Sequence, residues 1–284
     1  MTVDIGLFLP YLGDATSTQN LAEAARFAEE TGLDTLWTGD NLSMGATPII
    51  DATLTLATAA AVTERIELGL GVLLPALRGT EWAAKQIGGL QHLSGNRLLL
   101  GVGLGGGDEF DALGITGRGR RTDRFLTDLP SLLAGEAPLK LAPAVPVPPI
   151  WIGGSSMAAL RRTARFGDGW LADLITPVEV REHRETLREL AAEHGRPAPA
   201  VAAVVAGEVL AGEKSREDAL HRFADLFGFR PADIRDRFIT GSAAEVAGEI
   251  AEFAEAGAEK IAFISGGDWR ATCASLGEIR ALLR

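Results

Sequence analysis

The chain has 284 residues, 46% hydrophobic and 23% charged, enough for one large or two small domains with a full core, and unlike collagen-like, disordered or mucin-like sequences. Its one cysteine, Cys273, excludes an internal disulfide framework and a Cys-rich zinc module, and fits a reducing, cytoplasmic setting. Twenty-seven Lys and Arg against 38 Asp and Glu give a net charge of -11, which repels phosphate backbones and anionic bilayers, so neither nucleic acid nor membrane is expected as a partner.

Met1 to Asp4 lacks the basic residues of a signal peptide, and Asp4 interrupts the apolar run at once. From there short aliphatic or β-branched runs alternate with amphipathic segments, the pattern of a parallel sheet with crossover helices. Val3 to Pro10 is the first run, followed by a helix over 20–31 in which Leu21, Ala25 and Ala28 share a face; Asn20 with Glu23 resembles a capping box and Gly32 a stop. Asp34 to Thr38, the second run, ends in Gly39-Asp40-Asn41, and an Ala/Thr/Leu-rich helix opens at Asp51. Ile66 to Leu74 is the third run, then a helix over 80–93, the fourth run Arg97 to Val102, a glycine cluster and a charged helix over 120–133. The uncharged stretch Leu141 to Leu160 holds four prolines and two glycines, too many breakers for a membrane helix. Pro149 to Ile152 is the fifth run, with a helix through Arg165, and Asp168 to Ala172 the sixth. Thr176-Pro177-Val178-Glu179 combines an N-cap, a proline at the first helical position and a capping glutamate, predicting a helix to His194. Val201 to Leu210 is the seventh run, before helices over 215–227 and 232–238. Ser242 and Glu245 cap another helix to Gly257, Lys260 to Ser265 is the eighth run, and a helix to Leu283 closes the chain.

Eight runs separated by helices predict an α/β fold, a (β/α)8 TIM barrel forming a single domain over 1–284. A doubly wound sheet is the rival, disfavoured by the count of eight and the regular spacing. In a barrel, function belongs at the C-terminal ends of the strands. Glycine is abundant, 34 residues, and several stand at those ends. The fourth run enters Gly101-Val102-Gly103-Leu104-Gly105-Gly106-Gly107, a formal G-x-G-x-x-G. A dinucleotide-binding reading is weak there because no helix starts inside the motif; a plain turn, or backbone opened toward a flat or phosphorylated ligand, are the other readings. Gly153-Gly154-Ser155-Ser156 directly precedes a helix, a ready anion site unless a serine merely caps that helix. Gly69 and Gly71 interrupt the third run, marking a bulge, close approach of a ligand, or close strand packing.

The four histidines, His92, His183, His194 and His221, fall on helices or their ends, and no metal-ligand motif occurs, so no metal site is expected. Only four lysines exist, and Lys260 starts a strand, which weakens a Schiff-base reading. Asp40, Asp173 and Asp268 stand at strand ends as general acids or bases, or as caps of the next helix. A barrel with phosphate-gripping glycines and few catalytic side chains implies that a cofactor carries the chemistry.

Asp34-Thr35-Leu36-Trp37-Thr38-Gly39-Asp40, the stretch Thr63 to Val72, Leu93-Ser94-Gly95-Asn96-Arg97, and Ile150 to Ser156 with Gly167-Asp168-Gly169-Trp170-Leu171 together resemble the luciferase-like monooxygenase family, over essentially the whole chain. The resemblance implies a barrel that binds FMN or the deazaflavin coenzyme F420 at its mouth. It places Leu9, Pro10 and Tyr11 beside the ring, a non-prolyl cis peptide at Gly71-Val72 behind it, Gly103, Leu104, Gly105 and Gly106 on the ribityl chain, and Gly153, Gly154, Ser155 and Ser156 on the phosphate. After the strand-two aspartate the family frequently has a catalytic histidine where this chain has Asn41. An amide hydrogen-bonds a carbonyl but exchanges no proton near neutral pH. The candidate catalytic residues are therefore Asn41 itself, Asp40 and Glu109, with water as a further proton source. The chain lacks the long insertion of the larger bacterial luciferases and resembles the shorter deazaflavin-type members. F420-dependent hydride transfer to or from a small organic substrate is the expected function. The alternatives are an FMN-dependent monooxygenase fed by a separate reductase and a non-catalytic flavin-binding paralogue. The resemblance also implies a homodimer through helices two and three.

Overall fold

The computed structural model describes residues 3–106, 109–210 and 215–284. The elements in chain order are β1 (Asp4–Phe8), α1 (Thr18–Glu30), β2 (Thr35–Thr38), α2 (Ala52–Ala60), β3 (Glu67–Leu73), α3 (Thr80–Leu93), β4 (Leu98–Val102), α4 (Glu109–Ala112) and α5 (Arg118–Leu133). They continue with β5 (Ile150–Gly153), α6 (Met157–Phe166), β6 (Gly169–Asp173), α7 (Pro177–Glu193), β7 (Ala200–Val209), α8 (Arg216–Phe227), α9 (Pro231–Ile234), β8 (Phe238–Gly241), α10 (Ala243–Ala256), β9 (Lys260–Ile264) and α11 (Trp269–Leu282). Strands β1 to β7 pair in sequence, β7 pairs β9, and β9 pairs β1, so eight parallel strands close into the expected TIM barrel. Among the described residues no helix is long and apolar enough to cross a membrane.

Two local expectations change. Helix α1 begins at Thr18 with Ser17 as its cap, the serine hydroxyl accepting from the Asn20 N–H at 3.0 Å; Asn20 lies inside the helix and donates to the Ala15 carbonyl. The segment expected as one helix to Phe238 instead stops at Ile234, and β-branched Ile239 and Thr240 lie in the short strand β8. Ten-residue β7 makes room for it: Ala202–Ala206 pair with β9, and Ala206–Val209 pair with β8. The capping boxes at Thr176/Glu179 and Ser242/Glu245 form as the sequence predicts.

The barrel interior is filled unevenly. Trp37 of β2 stands opposite Gly69 of β3, and Trp151 of β5 opposite Gly169 of β6. A Cβ at either glycine would lie 2.2 Å from its partner indole, so close strand packing is what Gly69 serves. Aliphatic residues facing the other way, such as Leu36, Leu68, Leu98 and Ile150, pack under the helices.

Glu179 ties the start of α7 to the chain before β8. It receives the Thr176 N–H and hydroxyl and a two-pronged contact from Arg237, whose guanidinium also donates to the Leu174 carbonyl. Arg237 above all, with the cap bonds, lowers the carboxyl from 4.5 to about 2 despite some desolvation. A depressed folded-state value stabilises the fold above the unfolded pKa, and that contribution is lost as pH falls from 4.5 toward 2. Discounted for exposure of about a third of both side chains, the pair is worth about 1–2 kcal/mol. Urea titrations of wild type and Glu179→Gln are expected to differ by that amount at pH 7 and to converge near pH 2.

Candidate active site

The C-terminal ends of the strands surround a cavity of about 520 Å³, a size typical of small-molecule sites. Phe8 and Tyr11 reach it from the end of β1, Asp40 and Asn41 from β2, Gly71, Val72 and Leu74 from β3, and Gly103, Leu104, Gly105 and Gly106 from β4. Gly153, Gly154 and Ser156 follow β5, Leu171 and Asp173 belong to β6, and Phe223, Phe227 and Phe229 close one side. The phenylalanines were not anticipated; Phe223 and Phe227, four apart on α8, carry the helical spacing that signals them. Leu9 and Pro10 do not line this cavity. They line a neighbouring crevice with Asp14 and Trp269, so of the three residues expected beside the ring only Tyr11 reaches the cavity, next to Phe8.

The Gly71–Val72 peptide is cis, as the resemblance implied. A Cβ at Gly71 would approach Phe8 at 3.0 Å and Trp37 at 3.3 Å, so this position is squeezed by the floor beneath it. Val72 projects between the ends of β4 and β5: a Cβ on Gly103 would come within 2.4 Å of it, and one on Gly153 within 2.8 Å. Those two glycines therefore make room for Val72 in the first place. Gly105 has φ +64° and faces Phe110, and its carbonyl accepts from Arg118 at 2.7 Å. Gly106 differs, because a Cβ there would meet no described atom within 4 Å. Gly107, the end of the glycine cluster, lies outside the described residues.

The β5 loop is oriented by residues that sequence reasoning passed over. Trp170 Nε1 donates to the Gly154 carbonyl at 2.8 Å, and His183, stacked on Trp170 at 5.4 Å, has Nε2 3.3 Å from the Ser155 carbonyl. In trans peptides the N–H points opposite the carbonyl, so the Ser155 and Ser156 N–H groups turn away from Trp170 and His183. The Ser156 hydroxyl caps α6, accepting from the Ala159 N–H at 3.2 Å, and so serves the helix while the remaining N–H groups of its first turn stay available to an anion. Ser155 itself lines no part of the cavity wall.

Of the expected catalytic groups, Asp40 has both oxygens engaged. Arg78 grips them from two nitrogens, 2.7 Å on the Oδ1 side, and the Leu74 N–H donates to Oδ2 at 2.9 Å. Asp40 therefore locks the end of β2 to the loop after β3 and holds Asn41 at the cavity edge. Glu109 sits apart from the cavity, buried in α4, with Oε1 unpartnered among the described residues. Asp173 does reach the cavity, at the exposed end of β6; the protein mass around the mouth solvates its charge poorly and pushes its carboxyl upward. Burial, helped by the Asp173 charge, likewise drives the Tyr11 phenol above its ordinary value. Asp268 caps α11 through the Ala271 N–H.

The family model of the luciferase-like monooxygenases matches residues 3–278. The chain belongs to that family. It is similar to an uncharacterized protein of Mycobacterium tuberculosis, 32% identical over 197 residues that cover 63% of this chain and 68% of that one. It also resembles the 5,10-methylenetetrahydromethanopterin reductase of Methanolobus tindarius, 30% identical over 55% of this chain and 51% of the reductase. In fold it matches the coenzyme F420-dependent tetrahydromethanopterin reductase of Methanopyrus kandleri, with TM-score 0.81, 18% identity and 98% coverage of both chains. The FMN-bound oxygenating constituent of 3,6-diketocamphane monooxygenase from Pseudomonas putida matches with TM-score 0.77, 18% identity and 99% coverage of both.

The packing of Val72 against Gly153 yields a double-mutant test. Gly153→Ala is expected to cost about 1–3 kcal/mol by overpacking. Adding Val72→Ala should recover part of that loss, giving a coupling of about 1 kcal/mol in denaturant titrations. Strict additivity would mean that Val72 is not what requires the glycine.

Proposed function

We propose that this protein is an oxidoreductase that holds coenzyme F420 at the barrel mouth and passes hydride between it and a small, largely apolar organic substrate. The observation that carries this reading is one cavity joining an apolar floor, Gly71–Val72 over Phe8 and Trp37, to the β5 loop at Gly153, Gly154 and Ser156, where α6 begins. A flat ring fits the first and a phosphate the second. Gly106 supports the fit, since no packing or positive φ among the described residues requires a glycine there.

The residues that would hold the cofactor are Tyr11, Gly71 and Val72 at the ring, Gly103 to Gly106 along its side chain, and Gly153, Gly154, Ser155 and Ser156 at the phosphate. When bound, the deazaflavin supplies a two-electron hydride donor or acceptor. The chain's own contribution is to position the partners and exclude water: Phe8, Phe223 and Phe227 form an apolar wall, the Asp40–Arg78 clamp fixes the edge, and the Asn41 amide offers a hydrogen bond that does not titrate. The F420-dependent structural neighbour supports F420. The FMN-bound neighbour supports a second reading, an FMN monooxygenase supplied by a separate reductase. A cytoplasmic location is proposed from the composition.

Titrating the purified protein with F420 and with FMN, followed by absorbance and fluorescence, separates the two. Tighter F420 binding is expected, and Gly106→Val should weaken it at least about tenfold, more than 1.4 kcal/mol, while leaving the apo protein's thermal midpoint unchanged. Tight binding of FMN alone would sink the F420 reading.

A homodimer through α2 and α3 is also proposed, because Leu54 and Trp82 on these helices are 64% and 66% exposed. Sedimentation velocity should give a dimer that dissociates on Leu54→Glu with Trp82→Glu. A monomeric wild type would refute it.

A further inference from the structure

We propose that Asp173, with Tyr11 as its polar neighbour, is the proton-exchanging side chain of this cavity, and that the substrate carries an oxygen function, a carbonyl or an alcohol, presented to the β6 wall. The inference rests on the hydride-transfer reading above and adds the residue and substrate group which that reading leaves open.

The placement follows from the strand. In β6, Trp170 and Ala172 pack beneath the helices while Leu171 joins the barrel interior, so two residues further on Asp173 points the same way, into the mouth. Three side chains with ionisable groups line the cavity among the described residues, Tyr11, Asp40 and Asp173. Asp40 is held in both oxygens by Arg78 and the Leu74 N–H, and Asn41 has no proton to exchange. Among the described residues the Asp173 carboxyl accepts no hydrogen bond, so it is open to a substrate oxygen.

The neighbouring charges are committed elsewhere. Arg237, which donates to the Leu174 carbonyl next in sequence, is paired with Glu179. On β7 the residue beside Asp173 is Val204, and the charge further along, Glu208, is held by Arg222. Strand β5 brings no charged residue, and His183 of α7 faces the Ser155 carbonyl. That leaves the protein mass around the mouth to govern Asp173, and it pushes the carboxyl upward from its ordinary value. Tyr11, on the loop after β1, keeps its phenol proton for the same reason and because Asp173 lies nearby.

In the reducing direction, a carbonyl carbon would gain a C–H bond from the hydride of a bound, reduced flavin-type cofactor, whose own bond to that hydrogen would break with loss of two electrons from the ring. The carbonyl π bond breaks, its oxygen forms an O–H bond with the Asp173 proton, and the remaining carboxylate regains a proton from water at the open mouth. Alcohol oxidation is the reverse, with the carboxylate taking the hydroxyl proton.

Tyr11 is the chain's single tyrosine, so labelling tyrosine with ¹³C at Cζ gives one resonance. In the apo protein this resonance is expected to shift with a midpoint above the ordinary aspartate value of 3.8, and the step should vanish in Asp173→Asn. A step that persists in that variant, or its absence in wild type, overturns the assignment without reference to any cofactor. With F420 and a panel of short ketones and alcohols, Asp173→Asn should lower kcat about 100-fold or more with KM within about threefold. It should also erase the pH limb of kcat that Asp173→Glu retains at a shifted midpoint. Unchanged kcat in a folded Asp173→Asn protein refutes the proposal. Failure to bind F420 refutes the reading of the cavity instead, while the tyrosine resonance still decides the state of Asp173.

Discussion

The whole mouth of the barrel rests on two indoles that take more than their share of its interior. The interior of a TIM barrel is a packed core of side chains, so a tryptophan fits there only where the adjoining strand yields space. Trp37 and Trp151 meet that condition through Gly69 and Gly169, their register partners, and the strands from β7 onward contribute small residues, Ala202, Ala206 and Ala262, to the same space. Phe8 stacks above Trp37 with ring centroids 6.5 Å apart, and Gly71 passes over both. The indoles thus form a plug, and the cavity is the space left above it.

That arrangement gives a local answer to a global charge problem. The protein carries a net charge of -11, and several of its cations are spent on structure: Lys260 bridges Asp4 and Glu67 at the strand starts, Arg280 binds Asp34, and Arg78 binds Asp40. On the proposed reading, an anionic cofactor is then attracted over a short range, by backbone N–H groups at a helix start. Their direction is set from outside the barrel, where Trp170 and His183 hold the carbonyls of the same loop.

Local signals were legible in the sequence where one residue type has one physical use. The Thr176 and Ser242 capping boxes and the eight barrel strands are of this kind. Helix α1 was misplaced at its start because both Ser17 and Asn20 are good caps, and only packing selects between them. Strand β8 was hidden since its four residues pair with the upper half of a strand whose length looks ordinary. The glycines misled in a more instructive way. A glycine at a strand end reads as space for a ligand, yet at Gly103 and Gly153 the space is taken by Val72, a side chain that lies two strands back in the sequence from Gly153. Asp40 misled similarly, because its partner Arg78 lies 38 residues on and no local pattern announces the pair.

The ring geometry also gives meaning to Asn41. Strands β2 and β6 are four places apart in a ring of eight, so Asn41 and Asp173 stand on opposite walls of the mouth, with Tyr11 entering from β1. On the proposed reading, a substrate lying between those walls meets a neutral amide on one side and a carboxyl raised from its ordinary value on the other. Hydrogen bonding and proton exchange, which one histidine can combine, are then divided between two residues. Such a division is open to a barrel because its strand ends converge on one volume, and a proton can arrive from any wall that reaches the same oxygen. The clamp on Asp40 fits the same logic: with both oxygens held by Arg78 and the Leu74 N–H, that side chain is occupied by the protein itself and leaves proton exchange to the opposite wall.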